Sequence, residues 1–287
     1  MLEHQKKLKS TSPKKISFGI IADVQYCDAT PVKNRFFREA KDKLVAAIAL
    51  LNRLKPDFVI NLGDMIDRDW QSFDSILPVF DQLQMPVHHV LGNHDYEVAE
   101  ALKSMVPGRM GMGTKRYYDF QVSGWRFVVL DGNDISTFAH ATGSPKHKLA
   151  EECLRASQQK KSINANFWNG AIGKTQLTWL NGVLLKAQKS LEPVVICCHY
   201  PIFPSDRHNL LNDSELLHLL QPYKNIKAWI CGHNHQGNYG QYQNIHFINM
   251  KGMVETSHEA PLAFATLEKN LISIKGFGGE RSFRLAF

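Results

Sequence analysis

Apolar and polar positions in the first hundred residues alternate between two rhythms. Residues 16–22 and 58–62 are largely apolar runs that include β-branched side chains, and each breaks into polar residues: Asp23-Val24-Gln25 after the first, Gly63-Asp64-Met65-Ile66-Asp67-Arg68 after the second. Such runs predict buried strands whose carboxyl ends open into loops. Between them Phe37, Ala40, Leu44, Ala47, Ile48 and Leu51 recur at the spacing of an amphipathic helix over 33–54, closed by Pro56. A shorter helix is predicted over 75–83, with Pro78 in its first turn, then a third strand at 87–91 running into Gly92-Asn93-His94-Asp95. Strand, helix, strand, helix, strand predicts right-handed crossovers and a parallel sheet with its polar ends along one edge. Ligands bind at that edge of an open α/β sheet.

The second half reads differently. Residues 117–122 and 126–130 alternate about Ser123-Gly124, a hairpin signal, and short strands are predicted at 245–250, 262–267 and 271–277. Apolar runs at 193–198 and 227–231 again end in polar clusters, and Leu177, Leu180, Leu184 and Ala187 mark a helix before the first. This alternation predicts an α/β fold of four layers, αββα: two mixed sheets packed face to face, with helices outside. Residues 132–173 are irregular. Pro145 offers a helix start before 148–157, yet the stretch is polar with little periodicity. An insertion of this length, following a strand that ends in Asp131, is well placed to cover the ligand edge.

With 287 residues, 44% hydrophobic and 21% charged, the chain can bury one large core, expected over 16–287. Net charge is +7 and the pI about 9.1, but Lys6, Lys7, Lys9, Lys14 and Lys15 concentrate the excess in residues 1–15. That segment reads as a disordered basic tail; without interleaved aromatics it does not resemble a nucleic-acid arm. No apolar run approaches the ~18 residues of a membrane span, and no signal-peptide core is visible, so a cytoplasmic monomer is expected, with neither nucleic acid nor membrane as partner. The five cysteines include no CxxC pair and read as small core residues. Cys197 and Cys198, adjacent on a strand, face opposite sides and are poorly placed to share a metal.

Five predicted strand ends carry ligand-type residues: Asp23 with Gln25, Asp64, Asn93 with His94, His199, and His233 with His235. Alone, each has a plainer reading, a histidine capping a carbonyl or an asparagine ending a turn. Together, hard oxygen and imidazole donors without a thiolate suit Mn, Fe or Zn and argue against a cysteine-type structural zinc.

Asp23-Val24-Gln25, Gly63 to Arg68, Gly92 to Asp95, Cys198-His199-Tyr200-Pro201 and Gly232-His233-Asn234-His235, in that order and spacing, resemble the signature blocks of the calcineurin-like metallophosphoesterases. The resemblance implies the calcineurin-like phosphoesterase fold and two divalent cations, Mn²⁺ first, with Fe, Zn or Mg as other candidates. It implies one cation on Asp23, Gln25, Asp64 and His235 and another on Asp64, Asn93, His199 and His233, with Asp64 shared. The first block of the family usually reads Asp-x-His; Gln25 in place of that histidine should loosen one site and favour Mn²⁺. The implied chemistry is in-line attack on phosphorus by a hydroxide bridging cations ~3.5–4 Å apart. His94, by family analogy not a ligand, would protonate the leaving oxygen, Asp67 would orient it, and Arg68 would grip a phosphate oxygen or form a surface ion pair.

Within that family the chain looks most like the manganese-dependent ADP-ribose/CDP-alcohol diphosphatases, through Asp23-Val24-Gln25, the Asn169-Gly170-Ala171-Ile172-Gly173 segment and residues 205–212. This implies a small-molecule substrate: a nucleoside diphosphate-linked sugar or alcohol, such as ADP-ribose or CDP-choline, cleaved to a nucleoside monophosphate and a phosphorylated sugar or alcohol. Phe36 and Phe37 are candidate walls for the base, Phe36 being the freer ring because Phe37 fits the helix stripe; Arg207 and His208 are candidates for the distal phosphate or sugar. Rival expectations are a phosphomonoesterase or protein phosphatase, a cyclic-nucleotide or nucleic-acid phosphodiesterase, and a scaffold that has lost catalysis.

Overall fold

Phe18 and Ile20 lie on one side of the first strand, and with Phe58 and Ile60 of the second they form one wall of the central core. Trp125, Phe127, Val195, Cys197, Ala228 and Ile248 form the facing wall. Their alternate neighbours pack outward. Ile21 and Val59 meet Leu44, Ile48 and Phe73 of two helices, while Val128, Cys198 and Trp229 meet Leu180, Leu184 and Leu216 on the other flank. The period of two in the strands therefore builds four layers, helix, sheet, sheet, helix.

The computed structural model of the chain describes residues 13–287. Its first half runs β1 (Ile16–Ile21), α1 (Ala40–Leu54), β2 (Phe58–Asn61), α2 (Ser72–Phe80), β3 (Val87–His89), α3 (Val106–Arg109), β4 (Tyr118–Val122) and β5 (Trp125–Val129). The second half runs α4 (Pro145–Gln159), α5 (Lys174–Lys189), β6 (Val194–Cys197), α6 (Asp213–Leu220), β7 (Ile226–Cys231), β8 (Gln236–Tyr242), β9 (Ile245–Lys251), β10 (Leu262–Glu268), β11 (Leu271–Phe277) and β12 (Phe283–Ala286). One sheet has the order β12-β11-β10-β1-β2-β3 and the other β4-β5-β6-β7-β9-β8. The pairs β1·β2 and β2·β3 are parallel, as are β5·β6, β6·β7 and β7·β9. β10 pairs antiparallel with β1, Ala265 opposite Phe18, and β4 pairs antiparallel with β5, so both sheets are mixed.

Several boundaries differ from expectation. The helix predicted from residue 33 starts at Ala40, because Val32 and Arg35 pair across a tight turn; Phe37 is buried with Cys27 and Val254 rather than on the helix stripe. The helix predicted at 75–83 lies at Ser72–Phe80. In the insertion, the Oγ of Ser144 caps α4 by accepting from the His147 N–H at 3.3 Å, with Pro145 at the first helical position. Ala150 is the buried residue of that helix, which is why its sequence shows so little period. The tail predicted over 1–15 lies outside the described residues up to residue 12. Its end is bound to the body: Lys14 donates to the Ser123 carbonyl at 2.9 Å, and Lys15 pairs with Glu268 at 3.0 Å. Among the described residues no helix is long and apolar enough to cross a membrane.

Candidate metal centre

The carboxyl ends of β1, β2 and β3 in one sheet and of β6 and β7 in the other open onto the same cleft. Asp23 and Gln25 follow β1, Asp64 follows β2, Asn93 and His94 follow β3, His199 follows β6, and His233 and His235 follow β7. Donor atoms of Asp64, His199 and His233 lie within 4.8 Å of one another, and so do those of Asp23, Asp64 and His235. Asp64 belongs to both groups. Its Oδ2 is 3.3 Å from His199 Nε2, and Asn93 Oδ1 is 3.2 Å from that same nitrogen. On the other side His235 Nε2 is 3.3 Å from Asp23 Oδ1 and 3.1 Å from Gln25 Nε2. These seven side chains are buried.

Each histidine commits one ring nitrogen to the protein. His199 Nδ1 is 2.8 Å from the Leu62 carbonyl, His235 Nδ1 is 3.0 Å from Glu255 Oε1, and His233 Nε2 is 3.0 Å from Asn169 Oδ1. The Asn169 Nδ2 donates to the Asn164 and Arg207 carbonyls, both at 2.8 Å, so its oxygen is the atom turned to His233. An imidazole whose N–H is held this way presents its other nitrogen as a lone-pair donor, the usual arrangement behind a metal ligand.

The backbone is bent to make the convergence possible. Asp23 (φ 51°), Gln25 (46°), Asp64 (53°), His233 (69°) and His235 (22°) all occupy positive φ. Each such non-glycine residue costs ~1–3 kcal/mol and persists only where its surroundings hold it there. Asp95 does part of the holding, accepting from the N–H groups of Met65 (2.8 Å), Gly92 (2.9 Å) and Asp64 (3.1 Å) and so binding two loops together. A Cβ on Gly92 would collide with Asp64 Oδ1, and one on Gly232 with Asp23 Oδ2; only glycine lets the neighbouring loop pass so close to these carboxylates.

Charge is tightly coupled. Burial alone would raise the Asp64 carboxyl, but His199, His94 and His233 outweigh it and hold the group far below the carboxylate range. Burial likewise opposes protonation of His199 and His235, yet Asp64 and Asp23 respectively push both up to about 9. His233 goes the other way, pushed well down by burial and by His199.

Two cavities adjoin the centre and share Arg35, His94 and Glu97. One, of about 650 Å³, is lined by Lys33, Phe37 and Arg68; the other, of about 410 Å³, by Phe167, Trp168, Arg207 and His208. Arg68 Nε donates to Asp67 Oδ2 at 2.7 Å, and its guanidinium lies 5.5 Å from the Phe37 ring centre. Phe36 is the more exposed of the two rings, as expected, but it lines neither cavity and gives its backbone N–H to the Val254 carbonyl, whereas the buried Phe37 borders the larger cavity. Arg207 lies 5.0 Å above the Trp168 ring, and His208 is held by Asp206 at 2.7 Å. Phe167 and Trp168, at the end of the insertion, were not singled out by sequence; an adjacent aromatic pair in a polar stretch was the available signal. Trp168 Nε1 is buried without a partner.

The family profile described as calcineurin-like phosphoesterase matches residues 16–237. The chain belongs to that family. Among curated relatives, the manganese-dependent ADP-ribose/CDP-alcohol diphosphatase of Arabidopsis thaliana is 31% identical, over 86% of this chain and 86% of its own. The protein of that name from Xenopus tropicalis is 29% identical, over 88% of this chain and 87% of its own. Among solved structures, a dimetal phosphatase from Danio rerio has a TM-score of 0.87 and 26% identity, covering 96% of this chain and 99% of its own.

In this calcineurin-like phosphoesterase the amide of Gln25 decides how well the donor set fits a cation. Its Nε2 lies 2.9 Å from Asp64 Oδ2, while its Oε1 is buried without a partner. A half-turn of the amide would bring Oε1 to face Asp64 Oδ2 and His235 Nε2, an arrangement of lone pairs that only a cation between them would favour. Carboxylate, amide and imidazole donors, three of them preset imidazole nitrogens, fit a pair of divalent cations of the Mn²⁺ type.

Proposed function

We propose that this calcineurin-like phosphoesterase is a Mn²⁺-dependent hydrolase that cleaves the diphosphate of nucleoside diphosphate-linked compounds, ADP-ribose and CDP-alcohols among them, to a nucleoside monophosphate and a phosphorylated sugar or alcohol. The observation that carries it is the placement of Asp64 in both buried donor groups, with Gln25, Asn93, His233 and His235 lining a cleft walled by Phe167, Trp168 and Arg207. The names of the Arabidopsis and Xenopus relatives support the substrate class.

Asp23, Gln25, Asp64 and His235 would hold one cation, and Asp64, Asn93, His199 and His233 the other. Such a pair lowers the pKa of a water and offsets phosphoryl charge. The chain supplies the rest. His94 lines both cavities, and with Nδ1 turned back to Asp67 it offers Nε2 to the leaving oxygen as proton donor. Arg68, braced by Asp67, is positioned for a phosphate oxygen. Trp168 and Phe167 give a base its stacking surface, and Arg207, stacked on Trp168, sets a positive charge beside the same wall. A phosphorylated leaving group is already a weak base, so one half-buried imidazole suffices as acid.

Cation-stripped protein given Mn²⁺ is to be assayed on ADP-ribose, CDP-choline, a cyclic nucleotide and a phosphoserine peptide. Activity on the two diphosphates, lost without Mn²⁺, is expected. A preference for the phosphopeptide, or no hydrolysis by protein that has taken up Mn²⁺, would overturn the assignment.

A further inference from the structure

Lys43 is a buried cation with no part in the proposed chemistry. It sits in α1, 3% exposed, and among the described residues no carboxylate comes within ion-pair distance of it. Its Nζ donates instead to two backbone oxygens of a single segment, Met253 O at 2.6 Å and Thr256 O at 2.5 Å. Burying an ammonium without an ion pair is costly, and an apolar side chain would fill the same gap more cheaply. The cost needs a structural reason.

Residues 252–256 supply it, because they run between the two loops that carry one half of the metal centre. Gly252 N–H donates to the His235 carbonyl at 2.9 Å, Met253 N–H to that of Ala22 at 3.1 Å, and Val254 N–H to that of Asp23 at 3.0 Å. His235 packs on Gly252 so closely that a Cβ there would lie 2.8 Å from its Cγ. Glu255, in the middle of the segment, places Oε1 3.0 Å from His235 Nδ1 and thereby chooses which nitrogen the ring presents. Lys43 grips the carbonyls on either side of Glu255. Without it, Thr256 O loses its donor and Met253 O keeps only the 3.2 Å bond from Thr256 Oγ1.

We propose that Lys43 is a positioning residue for the cation site made by Asp23, Gln25, Asp64 and His235: it clamps residues 252–256 and, through Glu255, fixes the ring of His235. The role rests on the dinuclear assignment above and concerns one of its two sites. Groups that orient a metal ligand from behind typically change metal affinity by about 10- to 100-fold when removed.

Stripped wild type, Lys43→Met, Glu255→Gln and the double variant are titrated calorimetrically with Mn²⁺, and bound metal is counted after gel filtration. Wild type should take up two equivalents. Lys43→Met should weaken one of them at least about 10-fold and spare the other. Glu255→Gln should weaken the same one, and the double variant should be no worse than Glu255→Gln alone, since both act along one line of contacts. Lys43→Gln, which keeps an N–H donor without the charge, should fall between and gives the same reading if the methionine variant does not fold. Native affinity at both sites in a folded Lys43 variant overturns the role, as does equal weakening of both sites or losses that multiply in the double variant. Wild type that takes up fewer than two cations overturns the dinuclear assignment itself, and this role with it.

Discussion

His94 and Asp67 meet twice: Nδ1 of the histidine lies 3.0 Å from the aspartate's backbone oxygen and 3.4 Å from its Oδ1. The backbone N–H of His94 also donates to Asp64 Oδ1 at 2.8 Å. The ring is thus held from behind by one loop and its main chain by the shared carboxylate, while Asn93, one residue earlier, turns its side chain to His199. The two neighbours should therefore fail differently. His94→Ala is expected to keep both cations and lose about 10²–10⁴-fold in kcat, the usual scale of a proton donor. Asn93→Ala is expected to lose metal and activity together. Metal analysis beside steady-state rates separates them; His94→Ala turning over every phosphoester at the native rate would remove the histidine from the chemistry.

Gln25 stands where the family usually has histidine, and its buried Oε1 is an acceptor to which no protein group donates. Replacing it with histidine should tighten one Mn²⁺ site, since imidazole is the stronger donor. Gln25→Ala should weaken the same site by at least about 10-fold. Both are read from Mn²⁺ titrations of stripped protein, and an isotherm unchanged in both variants would take Gln25 off the ligand set.

The convergence of the candidate ligands is far more legible in sequence than their surroundings, for a physical reason. Asp23, Asp64, Asn93, His199, His233 and His235 each follow an apolar run, and parallel strands must deliver such ends to one edge, so chain order alone brings them near one another. Contacts between loops carry no such period. Asn169 reaches His233, and Trp168 meets Arg207, through a polar insertion whose fold depends on contacts far along the chain. Among the elements, β8 was missed because Gln236–Tyr242 reads QGNYGQY, two glycines and no apolar alternation, and is a strand only because β9 pairs with it at the edge of the sheet. Phe36 is the freer ring, as the helix stripe predicts, but in the turn that precedes Ala40 it lies outside both cavities while Phe37 reaches one.

Trp168 provides the test of the substrate's nucleoside end. Stacking of a base on an aromatic side chain is worth ~1–3 kcal/mol, so Trp168→Ala should raise KM for ADP-ribose by roughly 5- to 150-fold. The rate on bis-p-nitrophenyl phosphate, which has no base to place, should change little. Phe36→Ala should leave both substrates unaffected, because that ring lines neither cavity. A Trp168→Ala enzyme with native KM for ADP-ribose would move the base to another wall, with Phe37 and Arg68 the next to test.

Lys43 also leaves a mark on stability that owes nothing to bound metal. Burial lowers its pKa from 10.5 to about 8, with Glu39, one turn earlier in the chain, the charge that partly counters the shift. Glu255 lies on the facing segment and is committed to His235. Because the folded pKa is the lower one, the unfolded chain binds the extra proton between pH 8 and 10.5. Below that window both states are charged and the full cost of burial is present; through it the native state sheds the proton first, and stability rises with pH. That lowering corresponds to roughly 3 kcal/mol, less to the extent that water reaches Nζ. Urea unfolding of stripped wild type and Lys43→Met, compared from pH 7 to 10.5, isolates this group because all other titrations are common to both. The wild type should gain on the variant as pH rises. A constant difference would mean that Lys43 titrates like a lysine in water, and that its two carbonyl contacts do not hold it inside.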